Sequence, residues 1–201
     1  MINLRPDLDI ITQWIKPGSK VLDLGCGDGT LLQYLQENHQ ATGYGLEIDP
    51  DNIAKCISAG INVIQTDLNI GLSDFDEDSF DYVIMTQTLQ AVQRPDLLLN
   101  EILRIGREGI VTFPNFGHWY ARLQMVFGGH MPVSRALPNL WFNTPNIHLC
   151  TTRDFETLCN QQDIRILQRS VVNHAHRSTI ATRLLPNLLG EIALYRFQRS
   201  P

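Results

Sequence analysis

Apolar residues fall into two alternating rhythms along most of the chain. Leu8, Ile11 and Ile15 recur at helical spacing across 7–15, with Asp7 as a candidate N-cap, and Lys16-Pro17-Gly18-Ser19 reads as a turn. Lys20–Leu24 is a continuous apolar run that ends at glycines, as expected of a strand buried on both faces. Helical spacing returns over 29–38 through Leu31, Leu32 and Leu35, followed by a second strand, Thr42–Ile48, and a second helix, Pro50–Ala59, stopped by Gly60. Asn62–Thr66 is a third strand, 71–79 an acidic loop and Phe80–Thr86 a fourth strand. Pro95–Ile105 is a leucine-rich helix, and Gly109–Phe113 a fifth strand.

Strand and helix alternating in this way predict stacked βαβ units around a parallel sheet, an α/β fold. After Pro114 the rhythm breaks: 115–150 is rich in aromatics, Gly, Pro and Asn and reads as an insertion. Regularity resumes with a helix over Thr152–Gln161 and strands over Ile164–Val172 and Ala193–Gln198, joined by a long connection, 174–190. With no internal repeat, low-complexity tract or linker, residues 1–201 are expected to form one domain.

Composition narrows the class. The 201 residues carry 16 Lys+Arg and 21 Asp+Glu, a formal net charge of −5, with 43% hydrophobic residues, an ordinary globular balance. An acidic chain is a poor phosphate-backbone binder, so no nucleic-acid partner is expected. No apolar run reaches a membrane span, and the first residues lack the basic-then-apolar order of a secretory signal, so no membrane association and a cytoplasmic location are expected. Cys26, Cys56, Cys150 and Cys159 show no CxxC spacing and are read as free thiols in a reducing compartment. The charge is uneven. Residues 1–100 hold 5 Lys+Arg against 15 Asp+Glu, whereas 101–201 hold 11 against 6, and every basic residue after Lys55 is arginine. That pattern suits an arginine-bearing face for an anionic ligand or acidic partner, or simply uneven surface charge.

The chemistry concentrates at the first strand–helix junction, VLDLGCGDG (21–29). Gly25, Gly27 and Gly29 permit positive φ and let a ligand lie against the backbone beside Cys26, and the following helix directs free N–H groups at the same spot. The spacing is not the dinucleotide fingerprint, because Thr30 stands where the third glycine is required. Asp23, two residues before the first glycine, would repel a pyrophosphate but suits an ammonium and a sulfonium, which favours S-adenosylmethionine over NAD. Glu47, 22 residues beyond Gly25 at the end of the second strand, is placed to accept two ribose hydroxyls, with Asp49 as the alternative acid. Asp67 ends the third strand, where a carboxylate reaches an adenine amino group, with Leu68 flanking the ring. Ile48 and Thr86 end the second and fourth strands at the same sheet edge.

The order VLDLGCGDG, GLEID, QTDLN, FDYVIMTQTLQAV resembles class I S-adenosylmethionine-dependent methyltransferases over nearly the whole chain. The resemblance implies a Rossmann-like, seven-stranded, mostly parallel sheet with the last strand antiparallel and helices on both faces. It further implies that Asp23 and Gly25 to Gly29 hold the methionine moiety, Glu47 the ribose, and Asp67 with Leu68 the adenine of S-adenosylmethionine or S-adenosylhomocysteine. TQTLQAV (86–92), VTFPNFGHW (111–119) and TPNIHLCTTRDFETLC (144–159) resemble more narrowly the MetW family of methionine-biosynthesis proteins, which implies a role beside homoserine O-acyltransferase. The alternative is a conventional small-molecule methyltransferase with an unknown acceptor.

Methyl transfer from a sulfonium is an in-line displacement that asks mainly for alignment, and a base only where the nucleophile must lose a proton. The segment after the fourth strand offers the amides Gln87 and Gln90, which take no proton at neutral pH. The amine-methylase pattern [ND]-P-P-[YF] is absent; Pro114-Asn115-Phe116 has similar letters in another place. The insertion leaves the fifth strand at the ligand edge and is expected to act as a lid, with His118 as the candidate base and a structural histidine as the competing assignment. Phe116, Trp119, Tyr120 and Phe127, at near-helical spacing, are read as core. His174 and His176 lack a third ligand at sensible spacing, so no metal site is expected.

Overall fold

A computed structural model describes residues 4–173 and 180–200. Seven strands, β1 (Lys20–Leu24), β2 (Thr42–Glu47), β3 (Val63–Gln65), β4 (Phe80–Thr86), β5 (Gly106–Pro114), β6 (Ile164–Val172) and β7 (Ile192–Arg199), form one sheet in the order 3-2-1-4-5-7-6. β1 to β5 pair in parallel, and β7 slots antiparallel between β5 and β6. The order reverses at β1 and β4, so a crevice opens beyond their carboxyl ends. These are the seven strands, antiparallel last, that the motif order implied.

Helices cover both faces because the central strands are apolar on both. On one side Leu8, Ile11, Trp14, Leu31, Leu32 and Leu35, from α1 (Pro6–Thr12), the turn after it and α2 (Thr30–His39), pack on Val21, Ile84 and Ile110, joined by Cys56 of α3 (Pro50–Ser58). On the other, Leu98, Leu99, Ile102 and Leu103 of α4 (Pro95–Ile105) and Phe155 and Cys159 of α6 (Thr152–Gln161) pack on Leu22, Val83, Val111 and Phe197. Asp23 alternates onto the α1 side with Val21, a carboxylate in an otherwise apolar row.

Boundaries shift where local chemistry outweighs periodicity. Arg5, not Asp7, occupies the N-cap of α1, because Pro6 takes the first helical position, where its fixed φ fits. Asp7 instead sits buried in the first turn. The T-x-D sequence at 151–154 forms a capping box, the Thr151 hydroxyl and Asp154 carboxylate each accepting from the other's backbone N–H. The connection 174–190 contains, among its described residues, two short helices, α7 (Ile180–Leu184) and α8 (Pro186–Leu189).

The insertion opens with α5 (Trp119–Leu123) and one wider turn, Gln124–Gly128, and is otherwise irregular. Its aromatics correct the core assignment. Phe116 is half-buried, but Trp119 and Tyr120 are exposed and Phe127 is 82% exposed, since α5 ends after five residues and packs only one face. Among the described residues no helix is long and apolar enough to cross a membrane, no metal-holding cluster forms, and the four cysteines are free thiols. His174 and His176 lie outside the described residues.

Candidate functional site

The glycine turn is fixed by the strand beside it. Gly25 and Cys26 both donate to the Leu46 carbonyl (2.8 and 3.0 Å), and Gly27 donates to Glu47 Oε2 at 2.8 Å. Gly25, Gly27 and Gly29 all take positive φ, from 58° to 79°, where a side chain is strained. A Cβ on Gly25 would lie 2.8 Å from the Thr88 hydroxyl, so this glycine also clears the wall between the turn and the segment after β4. Gly29 enters α2 with no side chain of its own to cap it, and Asp28 Oδ1 instead accepts the Thr30 N–H and hydroxyl (3.1 and 2.6 Å).

Glu47 is buried, and its other oxygen accepts from Ile48 and Asp49 (2.8 and 2.9 Å), so one carboxylate ties the end of β2 to the turn. Asp49 is engaged as the N-cap of α3 (2.8 Å to the Asp51 N–H). Asp67 Oδ1 accepts from the Asn69 backbone (2.9 Å) and side chain (2.8 Å), capping a short turn at Leu68–Ile70. Asp23 stands apart. Its side chain is buried, Oδ1 has no hydrogen-bond partner, and burial, then the nearby Glu47 charge, push its carboxyl up to about 7, against a weaker pull from Arg5. An orphaned buried carboxylate is costly unless something occupies it.

Gly25, Glu47, Ile48, Asp67 and Leu68 line one cleft of about 310 Å³, together with Leu46, Thr66, Asn69, Thr88, Ala91 and Val92. Asp23, Cys26, Gly27 and Gly29 belong to the strand and turn behind it, and Thr86 contributes a carbonyl that accepts the Thr88 hydroxyl at 3.1 Å. Sequence reasoning missed Leu46, Thr66, Asn69, Thr88, Ala91 and Val92. Asn69 donates to Asp67 and accepts the Gln93 N–H (2.8 Å), bridging two walls. Cys26 Sγ and Cys56 Sγ approach to 3.9 Å; burial raises both thiols, so they are inert packing groups under the turn.

His118 does not line the cleft. It stands at the N-cap position of α5, where its side chain makes no cap bond, and faces Glu191, Nε2 to Oε1 3.9 Å. None of the cleft-lining residues comes from 115–150. The insertion reaches the site indirectly: the Ile147 and His148 N–H groups donate to the Gln90 carbonyl (2.9 and 3.0 Å), in the turn that carries Ala91 and Val92. Asn115 is a buried hub. Its Nδ2 donates to the Asn187 and Gly190 carbonyls (3.0 and 2.7 Å), and its Oδ1 accepts from Gly117 and Thr152 (3.0 and 3.3 Å).

The removal of Glu47 tests this arrangement. Glu47→Ala takes away three backbone partners and any contact to a bound sugar, so S-adenosylmethionine binding should weaken by about 1.5–3 kcal/mol, read by calorimetry. Unchanged affinity would place the ligand elsewhere.

Comparison with known proteins agrees with the geometry. The profile of the family "Methionine biosynthesis protein MetW" matches residues 5–197. A bifunctional methionine biosynthesis protein MetXA/MetW from Rhodopirellula baltica is 37% identical over 207 residues, 98% of this chain but 33% of that protein, so the chain spans about a third of this relative. Among solved structures, an S-adenosylmethionine-dependent methyltransferase from Mesorhizobium loti superposes with a TM-score of 0.72 at 17% identity, covering 99% of this chain and all of that one. The magnesium protoporphyrin IX methyltransferase of Synechocystis, solved with bound SAH, superposes with a TM-score of 0.67 at 17% identity, covering 96% of this chain and 82% of that one. The structures give the fold, a Rossmann-like methyltransferase sheet, and the profile and the relative give the family: this chain belongs to the MetW family of methionine-biosynthesis proteins.

Proposed function

We propose that the chain binds S-adenosylmethionine or S-adenosylhomocysteine in the cleft beside the glycine turn and acts in the cytoplasm with a homoserine O-acyltransferase. The observation that carries the ligand reading is the Asp23 carboxylate, buried with Oδ1 unpartnered behind Gly25. An ammonium satisfies it, and a pyrophosphate does not. Glu47, lining the same cleft, accepts the ribose hydroxyls, and Asp67 with Leu68 takes the adenine. When bound, S-adenosylmethionine supplies an activated methyl group or, as a product of methionine, a measure of pathway output.

Sensing fits the site better than turnover. The carboxylates lining the cleft, Glu47 and Asp67, already accept backbone N–H groups, and His118 faces Glu191. Gln87 and Gln90 supply amides only, Gln90 donating to the Gln87 carbonyl at 2.9 Å. The partner reading is supported by the Rhodopirellula baltica relative, named for both MetXA and MetW functions in one chain. A ligand controls a partner only by favouring one state of the complex.

The test is calorimetry with S-adenosylmethionine and S-adenosylhomocysteine, alone and with the acyltransferase of the same organism. Binding of either ligand, with an affinity that changes when the acyltransferase is present, is expected. Tight binding with transfer to a metabolite would favour the methyltransferase instead, and no binding would end the ligand reading.

A further inference from the structure

The insertion carries its apolar residues outward. Trp119, Tyr120, Val126, Phe127, Trp141 and Phe142 are all exposed, Phe127 at 82% and Phe142 at 66%. With the other exposed Leu, Ile, Met and Val side chains of 115–150, their summed exposed surface is on the order of 1,000 Å², a concentration in one segment that marks an interaction site. A stable interface asks for roughly 800 Å² from each partner.

The same stretch has a one-sided charge. Residues 115–150 contain no Asp or Glu, while Arg122 and Arg135 fall there, both exposed. A face that is apolar and cationic, with no acid of its own, is complementary to an apolar groove rimmed by carboxylates. A lipid surface fits less well. Interfacial binding uses a long amphipathic helix or a polybasic cluster of 4–8 Lys/Arg. Here α5 has five residues, and the stretch holds two arginines 13 positions apart.

The irregular segment is nevertheless built. The Phe116 N–H donates to the Cys150 carbonyl (3.0 Å), closing its two ends. Gln124 exchanges hydrogen bonds with the Val133 backbone (3.0 and 2.9 Å). His148 Nε2 lies 3.1 Å from the Gln93 carbonyl. The wall of the ligand cleft is thus tied to the insertion at Ile147 and His148, which bond Gln90 and Gln93.

Resting on the partnership proposed above, we infer that the outward face of 115–150, centred on Phe127 and Phe142, is the surface that docks an acid-rimmed apolar groove on the acyltransferase. Engagement at this face reaches the cleft through Ile147 and His148 on Gln90, which gives ligand and partner a common element to bias.

The test uses the full chain and the acyltransferase of the same organism in a surface-binding assay. The double variant F127S/F142S should bind the acyltransferase at least about tenfold more weakly, while S-adenosylmethionine affinity stays as in the wild type, showing an intact fold. R135E, at an exposed position, should slow association and flatten its salt dependence. Equal binding by wild type and F127S/F142S overturns the surface and leaves the partnership standing. If the wild type fails to bind the acyltransferase, the partnership falls and the occupant named here falls with it. Sedimentation with phosphatidylglycerol vesicles and the oligomeric state of wild type against F127S/F142S then assign the face to lipid or to a second copy.

Discussion

Asp23→Asn should raise the stability of the ligand-free protein at pH 8 by roughly 2–4 kcal/mol and weaken its hold on S-adenosylmethionine. The two effects have one cause. In the folded chain the carboxyl is pushed up to about 7, from 3.8 in an unperturbed carboxyl, chiefly by burial. Between those values the native state holds a proton that the unfolded state has lost, so ν_U − ν_N is negative and stability falls as pH rises from about 4 to 7. Above about 7 both states are ionised and the loss is complete. An amide of the same shape never ionises, so D23N should match wild type near pH 4 and exceed it increasingly up to pH 8, in chemical denaturation. Binding should move the other way, because in the proposed site the ligand ammonium would pair with the ionised carboxylate. At pH 6 the free protein holds the Asp23 proton and gives it up on binding, so calorimetry in buffers of different ionisation enthalpy should show close to one proton released. D23N should release none. An affinity unchanged by D23N would remove Asp23 from the ligand site, and a stability difference independent of pH would remove its raised carboxyl.

In VLDLGCGDG Asp23 was legible as an acid suited to a cationic ligand; that its Oδ1 stands unpartnered is a product of packing. Whatever depends on repeat or on a single strand end was readable: the buried strands as continuous apolar runs, the glycine turn, and Glu47 and Asp67 at consecutive strand ends. Three kinds of feature were not. Thr88 and Asn69 enter the cleft from irregular turns, and Gln87, at φ 53°, bends the chain so that Thr88 faces Gly25. α7 and α8, of five and four residues, are too short for periodicity to register. The aromatics of 115–127 carry helical spacing, yet spacing says which residues share a face and not whether that face meets the chain's own core or another molecule.

Asn115→Leu should cost about 3–4 kcal/mol of stability, a fall of about 10 °C in Tm for a domain of this size. The side chain keeps its branched outline, grows somewhat and loses every polar contact. Three buried backbone groups and one half-buried one then lose their partner: the Gly190 carbonyl and the Gly117 and Thr152 N–H groups, and the Asn187 carbonyl. Thr152 opens α6, Asn187 belongs to α8 and Gly117 begins the insertion, so one amide holds three segments that local sequence does not bring together. Asn115→Asp separates the donor and acceptor roles. It retains the oxygen for Gly117 and Thr152 but turns another toward the two carbonyls, and it should be at least as destabilising at pH 8, recovering as pH falls and the carboxyl takes up a proton. This also decides what Asn115 is for. In Pro114-Asn115-Phe116 the amide stands in a sequence similar to that of an acceptor-amine clamp, but all its bonding capacity is spent within the chain. Loosening it should therefore weaken docking through the insertion while leaving S-adenosylmethionine affinity within about twofold of wild type below the melting transition, since the cleft is lined from other segments. Equal losses in both binding measurements would mean that the insertion and the cleft fold as one unit.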